Sequence, residues 1–180
     1  LAKKVDAVII CDENRRHQIN QHSLCNIYVL PNIPDFDFSM IESKSIKTDY
    51  DRIKIAYVGV FDSSRGIEDL IELTSKREWI ELHIAGYGKL ESLVKNYSDQ
   101  LTRMNFYGKV DHNFGLKIIR DCDLLFGSYY TSNPVHRFAA PNKYYESLAC
   151  GVPIITTKNT IVGEKVEKYN TGYVIDEGYE

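Results

Sequence analysis

The chain has 180 residues, 43% of them hydrophobic, enough apolar material for one packed domain with a small appendage. A formal charge of -3 leaves no excess of Lys and Arg to follow a phosphate backbone, which argues against nucleic acid as a partner. The four cysteines (Cys11, Cys25, Cys122 and Cys150) form no C-x-x-C pair and lie in or beside apolar runs, the first residues do not read as a basic-then-apolar signal peptide, and no apolar stretch nears the roughly 20 residues that span a bilayer; the expectation is a cytoplasmic protein with reduced thiols.

In chain order, residues 1–30 read as an apolar strand at 7–10, a polar helix through Arg15 and His17, and a strand at 27–30. The opening reads as mid-helix without an initiator Met, so the chain is expected to be a piece of a longer protein. Residues 31–52, PNIPDFDFSMIESKSIKTDYDR, are rich in turn formers and charge and have no period, which makes them a linker. The expected organisation is therefore a small N-terminal unit over 1–34, a linker over 35–52 and a domain over 53–180.

From residue 53 onward, strands expected at 53–58, 79–85, 105–107, 123–126, 152–156 and 173–175 alternate with helices at 66–76, 90–101, 114–121, 141–149 and 162–169. That alternation predicts an α/β fold: a Rossmann-like, doubly wound parallel sheet with helices on both faces. Ile67, Leu70, Ile71 and Leu73 recur near a 3.6-residue period and give the first of these helices one face for the sheet.

Four successive strands run into glycine, at Gly59, Gly86, Gly108 and Gly127. Ligands of doubly wound sheets lie beyond the carboxyl ends of the strands, where glycine permits close approach, so the four suggest the floor of a cleft; each alone also fits ordinary turn geometry. In FAAPNKYYESLACGVPII, Pro141 is expected at the first helical position, leaving the amides of Asn142, Lys143 and Tyr144 as an anion site suited to a diphosphate, with Lys143 adding charge. Glu146 lies four residues after Asn142 on the same side of the helix, where a carboxylate can accept two hydrogen bonds from a ribose diol; complementing the helix dipole or pairing with Lys143 is the plainer alternative. In GVFDSSRG, Arg65 and Gly66 stand at the start of a helix that faces the cleft, and Arg65 is either a neutralising cation for departing phosphates or a solvated surface residue. His136 and Arg137, in the loop before Pro141, either contact the sugar or its phosphates or, as the plainer expectation, are exposed loop residues without a function.

Together these segments resemble the group 1 glycosyltransferases, family 4, of GT-B fold, over nearly the whole chain. YVGVFDSSRGIEDLIEL is similar to the family's first strand, glycine loop and helix, LHIAGYG to its second strand and turn, and NFYGKV to the motif near the nucleotide base. PNKYYESLACGVPII is similar to its most specific signature, while AVIICDENRRHQI through LPNIPD looks like the end of an acceptor domain and the start of the interdomain linker. The resemblance implies the C-terminal, donor-binding half of a retaining enzyme that moves a sugar from a nucleotide diphosphate sugar to a glycan or lipid-linked acceptor in polysaccharide biosynthesis, with no metal or other cofactor. It implies donor contacts at Gly59, Arg65, Gly66, Lys109, Val110, Asn142, Lys143 and Glu146, with Arg65 and Glu146 as the catalytic pair. The acceptor would enter through an N-terminal domain, and the full-length protein could touch the inner face of the membrane. Two positions depart from the family: Val60 stands where an arginine is common, and Phe138 where a glutamate stands eight residues before Glu146. A GT-B nucleotide-sugar epimerase, a non-catalytic degenerate GT-B domain and a flavodoxin-like binding domain are the alternative readings.

Overall fold

The computed structural model describes residues 5–19, 26–35 and 52–178. A parallel two-stranded sheet pairs β1 (Ala7–Ile10) with β2 (Asn26–Val29). Between them the expected polar helix is a 3-10 turn, Glu13–Gln18, capped by Asp12, whose carboxylate accepts from the Asn14 amide. With i to i+3 bonds such as Arg15 N to Asp12 O, six residues close no α-helical core. Most of the linker reading, 36–51, lies outside the described residues, as does Cys25; Cys11, Cys122 and Cys150 form no disulfide among the described residues.

The remaining strands are β3 (Ile53–Phe61), β4 (Ile80–Gly88), β5 (Met104–Phe106), β6 (Leu124–Gly127), β7 (Ile154–Thr157) and β8 (Gly172–Ile175). They form one parallel sheet in the order β5-β4-β3-β6-β7-β8. The helices between them are α1 (Ile67–Lys76), α2 (Glu91–Gln100), α3 (His112–Asp121), α4 (Asn142–Cys150) and α5 (Ile161–Tyr169). The chain winds outward from β3 to β5, returns through α3, and winds the other way from β6 to β8. This is the doubly wound α/β arrangement, and its order reverses between β3 and β6.

Strand alternation builds two cores. Ile55 and Tyr57 of β3 face one way, packing with Leu82, Ile84, Leu70 and Ile71; Ala56 faces the other, with Leu116, Ile119, Leu125 and Ile154. Ile67, Leu70, Ile71 and Thr74 fall at i, i+3, i+4 and i+7 and bury one stripe of α1. Leu82 and Leu125 are fully buried, and truncating either to Ala would cost about 2–5 kcal/mol through lost transfer energy and the cavity left behind. α3 starts two residues earlier than its apolar period suggests, because Asp111 caps it by accepting from the Phe114 amide at 2.9 Å.

Of the four strand-end glycines, Gly59 lines the cavity described below, and Gly86, Gly108 and Gly127 do not. β3 and β4 continue past Gly59 and Gly86, which face each other in register. Both have positive φ, 152° and 144°, and a Cβ on Gly86 would meet the Gly59 carbonyl oxygen at 1.8 Å. Gly86 is therefore required by backbone approach within the sheet. Gly127 is buried against Ile154.

The small sheet leans on the large domain. Lys165 of α5 pairs with the buried Asp12, Asn32 donates to the Ala140 carbonyl at 2.7 Å, and the rings of His17 and Phe138 lie 5.2 Å apart. No described helix is long and apolar enough to cross a membrane.

Candidate functional site

A cavity of about 430 Å³ opens at the carboxyl ends of β3 and β6, where the strand order reverses. Gly59 and Val60 line it from β3, Arg65 from the turn that follows, Tyr129 from beyond β6, Val110, Asp111 and His112 from the start of α3, and Asn142, Lys143 and Glu146 from α4. Residues distant in sequence meet here because both half-sheets end at this crevice.

Local chemistry sets each side chain. Asp62 accepts from the amide and hydroxyl of Ser64, closing a 3-10 turn that ends at Arg65; Gly66 then takes a left-handed φ of 65° and starts α1. The Arg65 guanidinium lies 4.5 Å from the centre of the Tyr129 ring and, among the described residues, makes no hydrogen bond or ion pair. α4 begins one residue later than expected: Pro141 is the N-cap, with ψ of 146°, and Asn142 is the first helical residue. No side chain caps the helix, and since the Tyr144 amide donates back to the Pro141 carbonyl at 3.2 Å, the open donors are those of Asn142 and Lys143.

Lys143 reaches under Gly59, its ammonium 4.7 Å from the centre of the Tyr57 ring and 2.5 Å from where a Cβ on Gly59 would stand. Burial lowers its pKa to about 8; Glu146 works against the shift and Arg65 with it. Glu146 is 9% exposed and held above the ordinary carboxylate range by burial, which Lys143 and His112 partly oppose. The His112 imidazole is its neighbour from α3, with Nδ1 3.9 Å from Oε1. Arg65 and Lys143 thus share one cavity with the buried Glu146, neither of them in ion-pair range of it among the described residues, beside an uncapped helix N-terminus. This arrangement is suited to an anion carrying more than one negative charge. No group of three or more His, Cys, Asp and Glu that could hold a metal ion occurs among the described residues.

Of the residues expected at the site, the structure brings Gly59, Arg65, Val110, Asn142, Lys143 and Glu146 to one cavity. Lys109 turns away, its ammonium 5.2 Å from the centre of the Tyr87 ring, and Gly66 packs under Ser128 and Tyr130 instead of lining the wall. Val60 is 49% exposed at the cavity. Phe138 lies against His17, outside the cavity lining. The expectation that His136 is exposed is corrected: it is 5% exposed, with Nδ1 2.9 Å from the Tyr130 carbonyl and its ring edge-on to Tyr129. Tyr57, Tyr129 and His112 escaped the sequence reading. The signal for His112 was present, since an Asp followed three residues later by an apolar helix marks a capped N-terminus at Asp111. For the two tyrosines no local signal exists.

Residues 40–180 match the family described as Glycosyl transferases group 1. No curated protein matches the chain in sequence. Among solved structures, it is similar to TarM from S. aureus, solved with fondaparinux, alpha-GlcNAc-glycerol and UDP (TM-score 0.65, 17% identity, covering 97% of this chain and 34% of that one). It is similar to WaaG, a glycosyltransferase involved in lipopolysaccharide biosynthesis (TM-score 0.65, 18% identity, covering 96% and 50%). HepE from Anabaena, in complex with UDP and glucose, is a third (TM-score 0.61, 17% identity, covering 97% and 50%). These likenesses show a GT-B type fold, and the chain spans about a third to a half of the length of the proteins it resembles.

Proposed function

The chain belongs to the group 1 glycosyl transferases, and on that premise we propose that it is the donor-binding part of a retaining enzyme that transfers a sugar from a nucleoside diphosphate sugar. The observation that carries this reading is the convergence of Arg65, Lys143 and the open amides of α4 on one crevice that also holds the buried Glu146. The diphosphate lies at the cations and the helix start, where the developing charge of the leaving group is stabilised by fixed donors. Glu146 accepts from the ribose hydroxyls, while Val58, Val110, Leu116 and Ile119 supply an apolar wall toward the base. The UDP bound by TarM and HepE supports a uridine donor.

The further organisation extends the proposal: residues 1–34 belong to an acceptor domain, 35–52 link it to the domain over 53–180, and a glycan or lipid-linked acceptor binds beyond β1 and β2. Domain closure brings donor and acceptor together, so transfer requires both halves. The site residues meet the diphosphate with protein charge, and no metal or other cofactor enters the scheme. Titration calorimetry of UDP, GDP, ADP and TDP against their nucleosides tests the reading. At least one diphosphate binds more tightly than its nucleoside by tenfold or more, the order expected for charge-assisted contacts; equal affinities in all four pairs would refute the anion site.

A further inference from the structure

Tyr129 is 3% exposed and holds a place between two groups the sequence reading never joined. The Arg65 guanidinium lies 4.5 Å from its ring centre, and the His136 ring meets it edge-on at 5.6 Å and 85°. His136 is itself fixed: Nδ1 is 2.9 Å from the Tyr130 carbonyl and Nε2 is 3.4 Å from the Asn133 amide nitrogen. Burial lowers the pKa of His136, and Arg65 lowers it further, so the imidazole is neutral and Nδ1–H donates to the carbonyl. The backbone is anchored on both sides, Tyr129 N donating to Thr157 Oγ1 at 2.9 Å and Tyr130 N to the Ser64 carbonyl at 2.9 Å. The second of these bonds ties the loop after β6 to the turn that carries Arg65.

A guanidinium normally held by a carboxylate would arrive at the cleft with its charge already neutralised. Here the negative face of an aromatic ring restrains it and leaves its donors unspent. We propose that Tyr129 is the positioning residue for Arg65, and that His136 acts on Arg65 through the Tyr129 ring to set the guanidinium at the diphosphate site. The inference rests on the donor-binding reading above. Arg65 sits on a short turn with a long flexible side chain; without the ring it loses its orientation, and each phosphate contact must then overcome more side-chain entropy.

The test measures UDP and uridine affinity by calorimetry on the full chain and on Arg65→Met, Tyr129→Leu, Tyr129→Phe and His136→Gln, each checked for folding by thermal melting. Tyr129→Leu weakens UDP about three- to tenfold, the range a cation–π contact supports. Uridine binding stays within about twofold, because the lost contact concerns phosphate alone. Tyr129→Phe keeps the ring face and recovers most of the loss, and His136→Gln gives a smaller loss in the same ratio. A Tyr129→Leu chain that keeps the wild-type UDP to uridine ratio, or a Tyr129→Phe chain as weak as Tyr129→Leu, overturns the proposal. Should Tyr129→Leu fail to fold, His136→Gln decides: a fallen ratio supports the coupling and an unchanged ratio refutes it. If Arg65→Met also leaves the ratio unchanged, the donor reading itself is at fault; if Arg65→Met lowers it and Tyr129→Leu does not, only the positioning role is lost.

Discussion

Lys143 and Lys165 lie on successive helices, both partly buried and both against tyrosine rings, yet the fold treats them in opposite ways. Burial alone would lower the pKa of Lys165, but bonding to Asp12 and Tyr145 raises it above the ordinary lysine value. Lys143 has no carboxylate in pairing range among the described residues, and burial takes it down to about 8. At the seam between the small sheet and α5 the charge is compensated by the protein itself. In the cleft it is left over, and a buried cation without a partner is maintained at a cost to stability that an anionic ligand removes.

The largest effect expected from this contrast is at the seam. Asp12→Ala leaves Lys165 buried beside no carboxylate and removes the cap on Asn14, so denaturant unfolding should show a loss of about 2–4 kcal/mol with UDP affinity unchanged. A loss below half a kcal/mol would show that the seam does not bear on stability. In the cleft, Glu146→Ala should weaken UDP by about 1.5–3 kcal/mol through lost charge-assisted bonds, read by calorimetry. Unchanged affinity would return Glu146 to a role within the helix.

Lys143→Met separates the two regions by sign. It should weaken UDP by about 1–2 kcal/mol while leaving stability level or raising it by up to about 1 kcal/mol, since it deletes a desolvated charge without orphaning a partner. A drop in both quantities would make Lys143 a structural lysine like Lys165. The smallest effect is in pH. A lysine whose folded pKa is depressed is protonated only below that value, so UDP affinity should be full below about pH 8 and decline as pH rises through it. Lys143→Met should abolish the decline, and a pH profile identical in both proteins would assign it to another group.

Much of the fold was legible because each element carries its own signal. Alternation in IKIAYV and the 3.6 period of Ile67, Leu70 and Ile71 are local, and signals of this kind specify the six strands and five helices of the domain over 53–180 whatever the neighbours. The types needed for chemistry were legible on the same grounds, since Pro141, Asn142, Lys143 and Glu146 lie within one turn or two of a single helix. The surroundings of Lys109 and His136 were not legible, because they come from elsewhere in the chain: the Tyr87 ring in one case, and Tyr129 with the Tyr130 carbonyl in the other.

The sequence by itself determined the α/β class, the elements in order, and a helix start able to hold an anion, because these follow from side-chain period and from the open amides of a first turn. Only the tertiary structure decided that β6 lies beside β3, with β4 and β5 wound to the other side. Parallel strands joined by crossovers permit many orders with the same local pattern, so adjacency is settled by how the two apolar faces pack. That adjacency brings Tyr129 to Arg65 and Lys143 to Gly59. It also leaves Lys143 without the carboxylate that Lys165 finds, a difference that the sequence around the two lysines does not contain.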